Sequence, residues 1–422
     1  MFAGGGARGA YEVGVCTYLF DRIAAELGRP LPMDVLSGTS IGAIHACALA
    51  AWADDPAHGA ALLAERWIGL SLDEVIRVDR KRTFNMFRGL FGWSPRKPSG
   101  GEERGGMLDA RPLEALLSST IDFARITGHL AAGRLQAVSV TATHVGTGRT
   151  SVFFQESPGR VTRWEGGHQR ALSVALGPVH ALASASIPFL FPAVAIGSEL
   201  YCDGSLRQHV PLSPARHLGA HALVAVNPRA PREAHAAPVG GEGAGEEGAE
   251  PSVEPVSEPV FLGPLYLLGK TMNALTIDRI DAEIEQLRFV NRLLAAGERA
   301  FGGRFLHQLN GALAEDGAPP VAPVSLLHIN ASEDIGRLAA DFVRSPRFRA
   351  RSHSLLERAF ARLADGEAAD EADLLSYVLF DGEFTQELIA LGRRDAERQH
   401  DEILGFFDRL RDTAADARLS QS

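Results

Sequence analysis

Apolar residues recur at helical spacing through "GAYEVGVCTYLFDRIAAELG" (residues 9–28), and Gly28 with Pro30 marks the end of that helix. A short apolar run, "MDVLSG" (33–38), reads as a buried strand and passes directly into the small-residue helix "TSIGAIHACALAAWA" (39–53). With "MFA" and a glycine run ahead of the first helix, the chain opens as strand, turn, helix, strand, helix. That order predicts a parallel sheet covered by helices.

Further along, "LQAVSVTATHV" (135–145), "TSVFFQE" (150–156), "LYCDG" (200–204), "ALVAVNP" (222–228) and "VSLLHIN" (324–330) have strand character. "ALSVALGPVHALASASIPFLFP" (171–192) reads as a helix leading into a proline-bounded loop, and "NALTIDRIDAEIEQLRFVNRLLAAG" (273–297) as an amphipathic helix. Residues 229–260 are rich in Pro, Gly, Ala and Glu with almost no large apolar groups, the composition of a disordered insertion. The expected organisation is a core over 1–228, the insertion at 229–260, the remainder of the core over 261–350, and a helical C-terminal region over 351–422.

Composition narrows the function. The 422 residues carry a net charge of −10, which argues against a protein gripping nucleic acid over its whole surface, and no nucleic-acid partner is expected. Cys16, Cys47 and Cys202 form no disulfide framework, and no apolar stretch is long enough to span a bilayer. A cytoplasmic location is the expectation. One local patch departs from the acidic balance: Arg80, Lys81 and Arg82 are interleaved with Phe84, Phe87, Phe91 and Trp93. That mix suits peripheral contact with anionic lipid headgroups, and equally a flap packed on the body; RNA binding is the weaker option.

The chemistry lies in two glycine motifs. Gly4, Gly6 and Gly9 match the spacing G-x-G-x-x-G of dinucleotide-binding loops, but such a site needs an acidic residue at the end of the second strand. That strand ends in "LSGTS", with Asp34 at its beginning, so no dinucleotide cofactor is expected. Gly38-Thr39-Ser40-Ile41-Gly42 is instead G-x-S-x-G between an apolar strand and a helix, the context of a nucleophile elbow, with Gly38 and Gly42 supporting the tight turn. A glycine run beside such a serine exposes backbone N–H groups fit to stabilise an oxyanion, with Gly5 and Gly6 as leading donors. Arg8 either adds charge there or pins the loop.

A serine nucleophile needs a base. Asp203, in "LYCDGSLRQHVP", is one candidate: its ordinary pKa near ~4 rises if burial beside Ser40 desolvates it. His45 and His209 are rival bases. His217 and His221 stand four residues apart, but Gly219 lies between them and no glutamate accompanies them, so no metal is expected. "GPLYLLGKT" (263–271) has one residue too many for a phosphate loop and reads as a lead into a helix. "IPFLFPAV" (187–194) fits either an acyl pocket or plain core.

Taken together, "GGGARG" (4–9), "GTSIG" (38–42), "ASASIP" (183–188) and "DGS" (203–205) resemble, in order, the four motifs of patatin-like phospholipases. The resemblance covers residues 1 to about 230. It implies an α/β fold of three αβα layers with a mostly parallel central sheet, followed here by a helical C-terminal extension. It also implies a Ser40–Asp203 dyad without histidine, an oxyanion loop over Gly4, Gly5, Gly6, Arg8 and Gly9, and hydrolysis of a lipid or phospholipid acyl ester without a cofactor. Two departures stand out: Ser205 replaces the family's small Gly or Ala, and only "MFA" precedes the glycines. The principal rival is a non-catalytic lipid-binding or scaffold protein of the same fold.

Overall fold

The computed structural model describes residues 1–75, 77–78, 106, 108–162, 164, 169–208, 210–230, 264–317, 320–351 and 371–419. The basic stretch from Arg80 to Trp93, nearly all of the acidic insertion and His209 lie outside the described residues.

In chain order, the helices are α1 (Ala10–Tyr18), α2 (Ala24–Glu26), α3 (Ile41–Ala51), α4 (Pro56–Gly69), α5 (Leu72–Val75), α6 (Arg111–Thr120), α7 (Phe123–Ala131) and α8 (Pro178–Ser184). They continue with α9 (Leu212–His217), α10 (Pro264–Phe301), α11 (Phe305–Glu315), α12 (Ile335–Arg344), α13 (Pro346–Arg351), α14 (Glu371–Val378), α15 (Gly382–Arg398) and α16 (His400–Leu419). The strands are β1 (Val35–Thr39), β2 (Arg77–Val78), β3 (Leu108–Asp109), β4 (Ala137–His144), β5 (Thr150–Glu156), β6 (Gln169–Ser173), β7 (Val194–Ile196), β8 (Glu199–Asp203), β9 (Ala222–Asn227) and β10 (Ser325–Asn330).

The expected opening is present, but its first strand is reduced to a bridge. Phe2 pairs in parallel with Gly38 of β1 on one side and Val226 of β9 on the other. Its N–H donates to the Ser37 carbonyl at 3.0 Å and its own carbonyl accepts the Thr39 N–H at 3.2 Å. Both neighbours supply a strand edge, so Met1–Ala3 joins the β9–β10 pair to the rest of the sheet.

The sheet is mixed, with parallel pairings in the majority: β1–β4, β5–β6, β9–β10 and both bridges of Phe2 are parallel, and β4–β5, β4–β8 and β7–β8 are antiparallel. β4 is its centre, buried from Ala137 to Thr143, and one of its edges is shared: β1 runs parallel along Ala137–Thr141, while β8 runs antiparallel along Ala142–His144. β5 is antiparallel to β4 because only residues 145–149 connect them, too few for a parallel crossover. The tight connection of β7 to β8 has the same effect. A correction concerns the start of the stretch 171–192, read as a helix: Ala171, Leu172 and Ser173 belong to a strand that begins at Gln169. This strand, β6, is parallel to β5, and the helix begins only at Pro178, where a proline at the first position leaves no interior N–H unpaired.

The C-terminal helices are part of the same body. One apolar cluster runs from Phe2 and Tyr11 through Leu49 and Val140 to Phe384, Leu388 and Phe407. α15 lies directly on α1. A Cβ on Gly14 would stand 2.0 Å from the Ile389 carbonyl oxygen, and one on Gly392 would stand 2.1 Å from that of Tyr11. The two glycines therefore permit backbone-to-backbone packing that any side chain would block.

Candidate active site

Ser40 sits between the end of β1 and the start of α3 with φ 55° and ψ −126°, a left-handed conformation for a residue with a side chain. Its neighbours explain how the turn closes so tightly. A Cβ on Gly38 would meet the Gly42 carbonyl oxygen at 2.0 Å, and one on Gly42 would meet the Phe2 carbonyl oxygen at 2.4 Å. Both glycines of the pentapeptide are thus required by close backbone approach, and the Met1–Ala3 strand passes through the space that Gly42 leaves.

Asp203 ends β8, across the sheet centre from Ser40. The Ser40 hydroxyl donates to Asp203 Oδ2 at 2.5 Å, and the Ser205 N–H holds the other oxygen, Oδ1, at 2.7 Å. Both residues are almost completely enclosed, Ser40 at 3% and Asp203 at 1% exposure. Burial pushes the Asp203 carboxyl up to about 6, against the hydrogen bonds from Ser40 and Ser205 that lower it. The departure at Ser205 is accommodated beside Gly4: a Cβ there would be 2.0 Å from Ser205 Oγ and 3.2 Å from Ser40 Cβ.

The glycine loop therefore runs alongside Ser40. Gly6 has φ +55° and opens a 3₁₀ turn, Gly6–Gly9, while Gly9 packs against Ile41 and His45 of α3. Among the described residues, no acceptor takes the N–H of Gly5 or Gly6. Arg8 is buried and pins the loop. Its Nε donates to Ser376 Oγ at 2.6 Å, and its guanidinium lies over the Tyr377 ring at 4.3 Å.

An apolar cavity of about 90 Å³ adjoins Ser40. Its walls come from α3 (Ile41, Ile44), α4 (Leu63, Trp67), α6 (Leu113, Leu117), the loop after α8 (Ile187, Phe191) and the C-terminal segment (Tyr377, Val378, Phe380). Ile187 and Phe191 of "IPFLFPAV" are both buried and cavity-lining, so the two readings of that stretch coincide. His45 also touches the cavity, but its ring is committed elsewhere. Trp67 Nε1–H donates to His45 Nε2 at 3.0 Å, which leaves the proton on Nδ1 to donate to Glu12 Oε2 at 2.7 Å. The other Glu12 oxygen accepts the Ala3 N–H at 2.7 Å. His45 thus ties the first strand, α1, α3 and α4 together, and its ring nitrogens are not directed at Ser40.

Residues 1–216, just over half of the 422, match the family model described as patatin-like phospholipase. The chain belongs to the patatin-like phospholipase family. A comparison with curated proteins gives no match. Among solved structures, the chain is similar to VipD from Legionella pneumophila, at 11% identity and a TM-score of 0.25, over 92% of this chain and 66% of that one. This chain thus spans a little less than two thirds of the VipD chain's length, and a likeness that slight carries no argument.

The patatin match ends well before Ser376, Tyr377, Val378 and Phe380, so the glycine loop and the cavity are completed by residues outside it. Sequence reasoning missed these four, together with Glu12, Trp67 and Ser184. Two signals were available: Glu12 is a lone acid early in a strongly apolar helix, and Ser184 lies within "ASASIP". His217 stacks on Trp164 and bonds the Ser213 carbonyl, and no cluster of three His, Cys, Asp or Glu side chains suited to a metal occurs among the described residues. Nor is any described helix long and apolar enough to cross a membrane.

Proposed function

We propose that this protein hydrolyses carboxylic esters of phospholipids or lysophospholipids, with Ser40 as nucleophile and Asp203 as its base. The observation that carries this reading is the 2.5 Å hydrogen bond from Ser40 Oγ to Asp203 Oδ2, made within a strained strand-to-helix turn. Membership of the patatin-like phospholipases supports lipid ester hydrolysis in general.

As Ser40 Oγ bonds to the ester carbonyl carbon, its proton passes to Asp203 Oδ2. The carbonyl electron pair moves onto oxygen, and the N–H groups of Gly5 and Gly6 stabilise the resulting oxyanion. When that intermediate collapses, the leaving alcohol takes the proton from Asp203 and the acyl group stays on Ser40. A water molecule next gives its proton to Asp203 and attacks the acyl carbon. The fatty acid departs as Ser40 Oγ recovers the proton. Arg8 acts indirectly, by holding the loop that carries the donors. The cavity beside Ser40 receives the first part of the acyl chain, and the Arg80–Trp93 stretch brings the enzyme to an anionic lipid surface.

A fluorophosphonate probe tests the nucleophile. Wild-type protein is expected to gain one covalent adduct, localised to Ser40 by mass spectrometry, and Ser40→Ala to gain none. Failure of the folded wild type to label, or equal labelling of the variant, contradicts the assignment and favours the non-catalytic scaffold.

A further inference from the structure

Ser40 and Asp203 stand 163 residues apart on separate elements, yet their oxygen atoms are held at hydrogen-bonding distance. One short segment touches both. Ser184, the last residue of α8, accepts the Ser40 N–H on its Oγ at 2.8 Å and donates that hydroxyl to the Thr141 carbonyl of β4 at 2.6 Å. Two residues later the Ser186 carbonyl accepts the Asp203 N–H at 2.9 Å. The segment is itself fixed, because Ser186 Oγ donates back to the Leu182 carbonyl at 2.7 Å. Thr143 of β4 completes the frame by donating to the Asp203 carbonyl at 2.9 Å.

The chemistry of a hydroxyl makes this arrangement directional. Ser184 has one proton, which the Thr141 carbonyl takes, so a lone pair faces the Ser40 N–H. Ser184 is fully buried, and without it the Ser40 N–H would be enclosed with no acceptor while its backbone occupies a strained conformation. The same bond commits the N–H of Ser40, which leaves oxyanion stabilisation to other donors.

We propose that residues 184–186 gauge the dyad, and that Ser184 is a positioning residue acting through the Ser40 backbone. The inference rests on the Ser40–Asp203 reading above. Removing the Ser184 hydroxyl frees the Ser40 turn, lengthens the Oγ–Oδ2 contact and withdraws from Asp203 a hydrogen bond that favours its charged form.

The test uses the full chain and a soluble p-nitrophenyl ester, with kcat, KM and melting temperature measured from pH 5 to 9. Ser184→Ala is expected to lose about 10- to 100-fold in kcat with KM nearly unchanged, and to shift the acid limb of its profile upward. Ser139→Ala is the comparator: it removes another fully buried hydroxyl, on β4, bonded to Ser37 Oγ at 2.7 Å, and touches neither dyad residue. It is expected to melt lower while keeping kcat and the acid limb. If Ser184→Ala does not fold, Ser184→Cys, close in shape but a weaker acceptor, carries the same expectation at smaller amplitude. Unchanged kcat and acid limb in the folded Ser184 variant, with Ser40→Ala inactive, overturn the gauge alone. Activity retained by Ser40→Ala overturns the dyad and the gauge with it.

Discussion

Burial raises the Asp203 carboxyl to about 6, and protonation there removes the acceptor for the Ser40 proton. The kcat/KM for a soluble ester is therefore expected to fall about tenfold per pH unit below pH 6, on a single-proton limb. A profile flat down to pH 5 contradicts Asp203 as the base. The same shift acts on stability with a definite sign. The folded-state value lies above the ordinary 3.8, so the neutral carboxyl contributes stability that is full at low pH and lost as pH rises through about 6. Ser40 and Asp203 were legible because each lies in a compact motif whose flanks, strand to helix for one and strand to turn for the other, are themselves readable. His45 was open to misreading as a base for the opposite reason. Its partners Glu12 and Trp67 are 33 and 22 residues away in the chain, and only packing brings them together.

The end of α14 and the short turn after it bring a distant part of the sequence to the loop beside Ser40. Ser376 holds Arg8, a Cβ on Gly6 would strike the Tyr377 carbonyl oxygen at 2.2 Å, and the Phe380 ring stacks on Trp67 at 6.0 Å between centroids. Phe380 forms part of the wall of the apolar cavity beside Ser40. Phe380→Ala is therefore expected to raise the kcat/KM ratio of p-nitrophenyl octanoate to p-nitrophenyl butyrate, by about tenfold. An unchanged ratio shows that Phe380 does not bound the acyl site. Periodicity located α1, β1, α3 and β4 because each follows one repeat between clear stops. It failed at β6, where "ALSV" ahead of a proline-started helix carries no local mark separating strand from helix, and pairing with β5 decides.

At the scale of the molecule, the helical C-terminal region is continuous with the core, sharing one apolar cluster and the backbone approaches of Gly14 to Ile389 and of Gly392 to Tyr11. A local reading separates that region from the active site because nothing in residues 371–398 announces a partner in residues 6–14. The layered α/β architecture was legible from the opening alternation of strands and helices. The antiparallel members of the sheet were not, because direction is settled only by the pairing each later strand makes: β1 and β8 share one edge of β4 and run opposite ways along it. Three parts of the fold distant in sequence meet around Ser40: the first strand fits against Gly42, β4 anchors Ser184, and α14 packs on the glycine loop. The most direct measurement is fatty acid released from phospholipid and lysophospholipid vesicles by wild type, Ser40→Ala and Asp203→Asn, followed by mass spectrometry. Release by the wild type that falls to background in both variants is expected; equal release by all three, or none by folded wild type, contradicts hydrolysis at this dyad.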